Sequence, residues 1–229
     1  MKFNKKLKDI SVIIRNKNEE RWIGHCIQSC LENFIAPEVI IVNHKSVDSS
    51  LEIAKSFRHD PSLKPSIKNY CDLKILNIDD YSPGRAINFG VQKASQKYIC
   101  VLSAHCVIQS VNQKILAESL KKYPCVFGKQ IPVYRGKKIN PRYIWSHFVD
   151  SEVENMYSKQ EERLFLHNAF CFYQKEILME LPFNEDLTSK EDRLWALSLS
   201  KLKKSFLYSP DLVAHHHYTN SGNTWKGIA

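Results

Sequence analysis

The most informative stretch of this chain is Val101-Leu102-Ser103-Ala104-His105-Cys106-Val107. The apolar run over residues 98–102 that leads into it is typical of a buried strand. The run ends abruptly in small and polar residues, so His105 follows three residues after the predicted strand end. Ligands of α/β sheets bind in the crevice outside the carboxyl ends of the strands. We therefore expect a functional site at His105.

Strands and helices alternate on the amino-terminal side of this stretch. Apolar residues from Trp22 to Phe34 recur with a helical period. The predicted strands cover residues 10–14, 39–42, 73–78 and 98–102, and further predicted helices cover residues 46–57 and 86–94. The alternation continues to about residue 122. It predicts a parallel sheet with helices on both faces.

The carboxyl-terminal half is less regular. It predicts one or two strands over 123–133, a helix around 145–157, a strand over 164–173 and a helix over 174–181. A further amphipathic helix is predicted over 190–204, with Leu194, Leu197, Leu199 and Leu202 as its apolar residues. A short strand over 206–208 and the run His215-His216-His217 follow.

Composition limits the class of protein. The 229 residues are 43% hydrophobic, enough for one large α/β domain with a core. The net charge of +9 indicates an anionic partner or, equally, an ordinary solvated basic surface. Seven cysteines without a CxxC pair or an export signal predict reduced thiols in a cytoplasmic protein. No apolar run is long enough to span a bilayer, so we expect any membrane contact to be peripheral.

Several other function classes lack their motifs. Neither a P-loop nor an HExxH motif is present. The turn after the first predicted strand, Arg15-Asn16-Lys17-Asn18, has no glycine to cradle a triphosphate, which argues against a nucleotidyltransferase. Basic residues are scattered and no recognised binding motif appears, so we expect no nucleic-acid partner.

Four segments, in their order and spacing, resemble the signatures of family 2 glycosyltransferases of the GT-A fold. They are residues 11–19, 39–48, 84–90 and 103–105. The resemblance covers about residues 9–217 and implies one GT-A domain over 1–229, a mostly parallel central sheet flanked by helices. It also implies a nucleotide-sugar half over 9–122, followed by an acceptor half and a tail over 123–229.

The resemblance implies a nucleotide-sugar donor. Asn43 replaces the acidic residue that usually binds uracil or ribose, and its amide still donates and accepts. We expect a UDP-sugar, with GDP- and dTDP-sugars left open. The expected donor-binding residues are Arg15, Asn16, Asn18, Asn43, Arg85, Asn88, Ser103, Ala104 and His105.

Ser103-Ala104-His105 falls on the DxD triplet, which in the family holds a divalent ion on the donor diphosphate. It resembles the DxH triplet of the polypeptide GalNAc-transferases, which add a distal histidine. We expect His105 to bind a divalent metal, manganese in preference to magnesium. Its expected partner is His215 or His217, because alternate residues of a strand share a face. Two alternatives stay open: a hydrogen-bonding His105 without metal, and a solvated histidine tail.

Glu191-Asp192 resembles the ED pair of the family, which implies that both residues are catalytic. Asp192 would be the general base of an inverting transfer, kept ionised by the helix N-terminus. The alternative is an ordinary acidic pair at a helix start, and the DxH-like triplet also points towards a retaining family. The expected acceptor-binding residues are Asn168, Trp145 and Arg193.

The resemblance therefore implies a nucleotide-sugar-dependent glycosyltransferase of the hexosyltransferase type. Its acceptor would be a saccharide or a lipid-linked hydroxyl, in surface polysaccharide biosynthesis. We expect the protein in the cytoplasm, at the inner face of the membrane. The lost aspartates favour one alternative: a catalytically degenerate GT-A paralogue that only binds nucleotide or saccharide.

Overall fold

The computed structural model describes residues 9–58 and 71–219. The first part contains β1 (Ile10–Asn16), α1 (Ile23–Asn33), β2 (Glu38–Asn43), α2 (Ser50–Lys55), β3 (Asp72–Asn77), α3 (Pro83–Lys93), β4 (Tyr98–Ser103), β5 (Cys106–Val111) and α4 (Gln113–Lys122). The second part contains β6 (Cys125–Tyr134), β7 (Lys137–Lys138), a 3-10 helix (Tyr143–His147), β8 (Val153–Glu154), β9 (Tyr157–Ser158), β10 (Arg163–Leu164), β11 (Phe170–Gln174), α5 (Lys175–Glu180), α6 (Glu191–Lys201) and β12 (Leu207–His217).

One sheet joins both parts of the chain, with its principal strands in the order β3-β2-β1-β4-β11-β6-β12-β5. The strands from β3 to β4 pair in parallel, as the alternating pattern predicts. β11 runs antiparallel between β4 and β6, and β12 runs parallel to β6. The carboxyl ends of β1, β2, β4, β6 and β12 therefore meet at the same edge of the sheet.

The core lies on both faces of this sheet. Alternate residues of β1 divide between the two faces, with Ile13 on one and Val12 and Ile14 on the other. Buried residues of α3, α5 and α6 cover the first face, and those of α1, α2 and α4 cover the second. This mostly parallel α/β architecture with helices on both faces agrees with the fold that the sequence resemblance implies.

The structure corrects three predictions in the carboxyl-terminal half. The helix predicted around 145–157 is wrong: a 3-10 helix gives way to short strands, and Asn155 has a left-handed φ of 49° that no α-helix continues. The last strand is longer than predicted, because a bulge between Ser209 and Val213 accommodates Pro210. In α6, Leu194 and Leu197 are exposed, while Trp195, Ala196 and Leu199 form the buried face.

A membrane-spanning helix is not found in the described ranges, 9–58 and 71–219.

Candidate active site

Three asparagines form a row across the carboxyl ends of β1, β2 and β3. Asn16, Asn43 and Asn77 are neighbours in the sheet register. Asn16 Nδ2 donates to Asn43 Oδ1 at 3.2 Å, and Asn43 Nδ2 donates to Asn77 Oδ1 at 3.1 Å. Asn16 Oδ1 is buried and accepts no hydrogen bond from the described residues. Buried polar groups are normally paired, so this orphaned acceptor marks a place for a ligand donor.

Two neighbours extend the row. The ring of His44 stacks on Tyr81, with centroids 5.0 Å apart and planes 8° apart. Asn18 joins the loop after β1 to the loop after β2, because its Oδ1 accepts from the Val47 backbone N–H at 2.8 Å. These contacts give the predicted donor residues Asn16, Asn18 and Asn43 a common location at one end of the sheet edge.

A buried acidic pair starts α6. Lys190 has a left-handed φ of 61°, after which Glu191 and Asp192 open the helix, each 6% exposed. Acidic residues are favoured at a helix N-terminus because they complement its dipole. Arg15, at the end of β1, brings Nη1 to 3.4 Å from Glu191 Oε1. The predicted donor residue and the predicted catalytic pair therefore lie in contact.

The two carboxylates have opposite pKa shifts. Burial and the nearby Asp192 charge raise the pKa of Glu191, against the opposing effect of Arg15. Burial also acts to raise the pKa of Asp192, but the Arg193 guanidinium, His167 and two backbone N–H groups outweigh it and lower that pKa. Asp192 accepts from the Asn168 N–H at 3.1 Å and from Arg193 Nη1 at 2.9 Å. Asp192 is thus the more firmly ionised member of the pair.

Two imidazoles meet at the same edge of the sheet. His105 lies in the turn between β4 and β5, and His216 lies near the end of β12. Their Nε2 atoms are 3.1 Å apart. His105 Nδ1 is 2.9 Å from Glu19 Oε1, and His216 Nδ1 is 2.9 Å from Gln130 Oε1.

The surrounding groups determine where both imidazoles carry their protons. A carboxylate only accepts, so His105 donates to Glu19 through Nδ1. The Ala169 backbone N–H lies 3.4 Å from His167 Nδ1, which makes that nitrogen an acceptor for the Gln130 amide N–H. Gln130 Oε1 then faces His216 and accepts from its Nδ1. Both Nε2 atoms therefore present lone pairs to each other, an arrangement that a shared cation would stabilise.

The structure corrects the predicted partner of His105, which is His216 and not His215 or His217. Alternate residues of β12 share a face, as expected, but the face toward His105 is the one that carries His216. The pairing of β12 with β5 and β6 sets which residues lie on that face, and Ala214 and His216 are buried there. His217 instead stacks on Trp22 with centroids 3.8 Å apart.

Arg85 and Asn88 contact the segment before α6. Asn88 Nδ2 donates to Phe183 O and to Glu185 Oε1, both at 2.9 Å. Arg85 pairs with Asp80 and with Glu185. Gly84 allows the close approach, since an added Cβ would overlap the Asn184 carbonyl oxygen. The Asp80 and Glu185 carboxylates therefore already pair with side chains that the sequence assigned to donor binding.

The predicted acceptor residues are buried behind the acidic pair. Asn168 is 1% exposed and bonds Tyr173 and Glu191 through its side chain. Trp145 is also 1% exposed and meets His216 in a T-shaped contact with ring centroids 5.0 Å apart, so it offers no face to a sugar. Arg193 pairs with Asp192 and Glu161. Their contacts fit a positioning role. Among the predicted donor residues, Ala104 is likewise a core residue and Ser103 is 9% exposed.

Sequence reasoning missed three members of the imidazole cluster. Glu19 lies in the first signature segment, so its position in that loop was an available signal. Gln130 is a polar residue at an inward position of an otherwise apolar strand. His216 was present in the histidine run but was assigned to the wrong face.

Residues 11–182 match the family model described as Glycosyl transferase family 2. The matched segment contains the asparagine row and His105, and it ends before the acidic pair. The match covers most of the chain and so establishes its family.

Individual relatives agree with this match. The chain is 23% identical over 235 residues to "Dolichyl N-acetyl-alpha-D-glucosaminyl phosphate 3-beta-D-2,3-diacetamido-2,3-dideoxy-beta-D-glucuronosyltransferase" of Methanococcus voltae, covering 93% of this chain and 67% of that protein. S. aureus TarS 1-349 in complex with UDP-GlcNAc has a TM-score of 0.70 at 19% identity, covering 97% of this chain and 62% of that one. GalNAc-T7 with UDP, GalNAc and Mn2+ has a TM-score of 0.67 at 15% identity, covering 95% and 45%.

The chain therefore spans about two thirds or less of these proteins' own lengths. The structural likenesses show a common fold, and the family match covers all four signature segments. This chain belongs to glycosyl transferase family 2 and has its GT-A fold.

Proposed function

We propose that this chain transfers a sugar from a UDP-sugar to a hydroxyl of a saccharide or lipid-linked acceptor, with inversion. The observation that carries the proposal is one sheet edge with three features: orphaned polar groups, an acidic pair and an imidazole pair. The relatives support it, since one is named a glycosyltransferase of a dolichyl-linked sugar phosphate and TarS was crystallised with UDP-GlcNAc. The proposed setting is surface polysaccharide assembly, with peripheral contact at the inner face of the membrane.

The asparagine row suits the base of the donor. Uracil offers one N–H, and the row offers the orphaned Asn16 Oδ1 as an acceptor for it. Arg15 Nε is also buried and has no hydrogen-bond partner in the described part of the chain. A guanidinium that retains a free N–H beside this row is suited to a donor phosphate.

The imidazole pair fits a divalent metal. Burial and the neighbouring histidines lower the pKa of His216 far below its usual range, which disfavours a proton shared between the two rings. His105 and His216 would hold the ion through Nε2, and Glu19 and Gln130 would orient the rings. No group of three metal-ligating side chains occurs within 9–58 and 71–219, so donor oxygens or water would complete the shell. Imidazole ligands favour manganese over magnesium. Bound there, the metal would neutralise charge on the donor diphosphate.

Asp192 is the proposed general base. Its lowered pKa keeps it ionised at neutral pH, ready to take the proton of an acceptor hydroxyl. Asn168 and Arg193 hold the carboxylate in one orientation. Arg15 contacts Glu191, the neighbour of Asp192, which brings the proposed donor-binding arginine close to the proposed base.

Calorimetric titration tests the donor site. UDP is titrated into wild type with and without Mn²⁺, and into His105→Ala, His216→Ala and the control His215→Ala. We expect Mn²⁺-dependent UDP binding in wild type and His215→Ala, and loss of the Mn²⁺ dependence in the other two variants. UDP binding of equal strength without Mn²⁺ would overturn the metal assignment. Failure of wild type to bind UDP, GDP and dTDP would overturn the proposed function.

The alternative, a degenerate paralogue, is favoured by one observation: both Asp192 oxygens already accept hydrogen bonds from Asn168 and Arg193. A paralogue of this kind would bind nucleotide without turnover. Release of UDP from UDP-GlcNAc in the presence of saccharide acceptors would exclude it.

A further inference from the structure

A cavity of about 250 Å³ opens at the carboxyl ends of β6 and β12. Its principal lining residues are Arg21, Trp22, Tyr134, Arg135, His217 and Tyr218. In the strand order, β6 and β12 are separated by β4 and β11 from the strands that carry the asparagine row. His217 connects the cavity to the imidazole pair, because its backbone N–H donates to the His105 carbonyl at 2.9 Å.

The cavity walls are aromatic. Trp22 and His217 stack with centroids 3.8 Å apart on one side. Tyr134 and Tyr218 meet edge to face, with centroids 5.0 Å apart, on the other. Aromatic surfaces suit the apolar C–H faces of a pyranose ring. The volume lies just below the roughly 300–1,000 Å³ of pockets for drug-sized ligands, which suits a single sugar unit.

The charge of the cavity is positive and unbalanced. Arg21 and Arg135 lie 5.2 Å from the Trp22 and Tyr134 ring centroids, respectively. None of the lining residues is acidic, and neither arginine forms an ion pair with any residue in the described ranges. Guanidinium groups bind carboxylate and phosphate through paired N–H donors. Both arginines are exposed, so their guanidinium groups are accessible to an anionic ligand.

The backbone at Arg135 gives an independent reason to expect a role. Arg135 and Gly136 have φ values of 49° and 77° and form the two-residue turn between β6 and β7. Turns of this kind favour Asn-Gly, and an arginine in the left-handed region costs conformational energy. The turn nevertheless has a guanidinium at the cavity rim.

We propose that this cavity binds an anionic sugar unit of the acceptor, a pyranose that carries a carboxylate or phosphate. The assignment of this sugar to the acceptor rests on the proposed function, in which the asparagine row binds the nucleotide. The cavity adjoins the imidazole pair and lies away from that row. Arg21 and Arg135 bind the anionic group, and the two aromatic walls bind the ring. The protein therefore selects acidic over neutral saccharides.

Saturation-transfer NMR and calorimetry test this with methyl β-glucuronide, glucose 6-phosphate and neutral methyl β-glucoside. The test variant is Arg21→Gln/Arg135→Asn, in which asparagine suits the left-handed position. The control, Lys137→Gln/Lys138→Gln, removes the same charge from exposed residues of the same hairpin. We expect an anionic sugar to bind wild type and control, and to bind the test variant at least about tenfold more weakly. The preferred anionic probe identifies carboxylate or phosphate. Equal binding of the neutral glucoside, or equal loss in the control, would overturn the proposal.

Each titration is repeated with saturating UDP and Mn²⁺. Simultaneous binding of the anionic sugar and UDP supports an acceptor site. Mutual exclusion, with UDP-glucuronate favoured over UDP-glucose through the same two arginines, would overturn it in favour of the donor sugar. Binding of the anionic sugar without any binding of UDP would overturn the proposed function and leave the anionic-sugar site standing.

Discussion

At the scale of single residues, the site depends on which lone pairs and protons its neighbours leave available. Gln130 illustrates this, because its amide links His167 to His216 and so determines which nitrogen of His216 is protonated. No property of Gln130 in isolation predicts that role. The acidic pair also depends on its neighbours, which raise the pKa of Glu191 and lower the pKa of Asp192.

Replacement of the proposed base tests this difference within the pair. We expect Asp192→Asn to reduce transfer by about 10²–10⁴-fold while UDP binding changes little, because general-base catalysis contributes on that order. Glu191→Gln is the matched comparison, one residue away and equally buried. Initial rates and UDP affinity measure both effects. A larger rate loss in Glu191→Gln would assign the base to Glu191 instead.

At the scale of elements, α3 and the segment before α6 contact too closely to admit a side chain at Gly84. We expect Gly84→Ala to lower the free energy of unfolding by about 1–3 kcal/mol, as overpacking does. Gly24→Ala is the control, since its added Cβ meets only side-chain atoms, Ile53 Cγ2 at 3.1 Å and Phe57 Cε2 at 3.9 Å. Urea denaturation measures both. Equal stability of the two variants would show that the loop moves aside freely.

Glu38 is buried and joins three neighbouring elements. It accepts from Lys74 of β3, from Ser11 of β1 and from the Ser95 N–H after α3. Burial acts to raise the pKa of Glu38, but these bonds outweigh it and lower the pKa below 4.5. The unfolded chain then binds more protons as pH falls below 4.5, so the stabilisation is complete above that value and is lost below it.

We therefore expect Glu38→Gln to cost about 1–3 kcal/mol at pH 7. The difference from wild type should shrink as the pH falls from 4.5 through the lowered pKa of Glu38. Denaturant unfolding at a series of pH values measures it. A difference independent of pH would show that the ionised form of Glu38 contributes no stability.

At the scale of the whole molecule, the site is assembled from both parts of the chain, so ligand binding should stabilise the entire fold. A ligand at 100 times its Kd adds about 2.7 kcal/mol, which corresponds to a Tm increase of about 5–10 °C for a chain of this size. We expect UDP with Mn²⁺ to produce this shift in wild type and His215→Ala. His216→Ala should retain only the metal-independent part. An identical shift in all three proteins would contradict a metal held by His216.

The sequence by itself determined the alternation of strands and helices and the parallel half of the sheet. It could do so because burial periodicity and the end of a strand are local properties. Only the tertiary structure decided that His216 faces His105, that Asn88 clamps Phe183 and that Trp145 is core. These contacts join residues 111, 95 and 71 positions apart in the chain. Their geometry depends on strand register and on a bulge in β12, which no local pattern encodes.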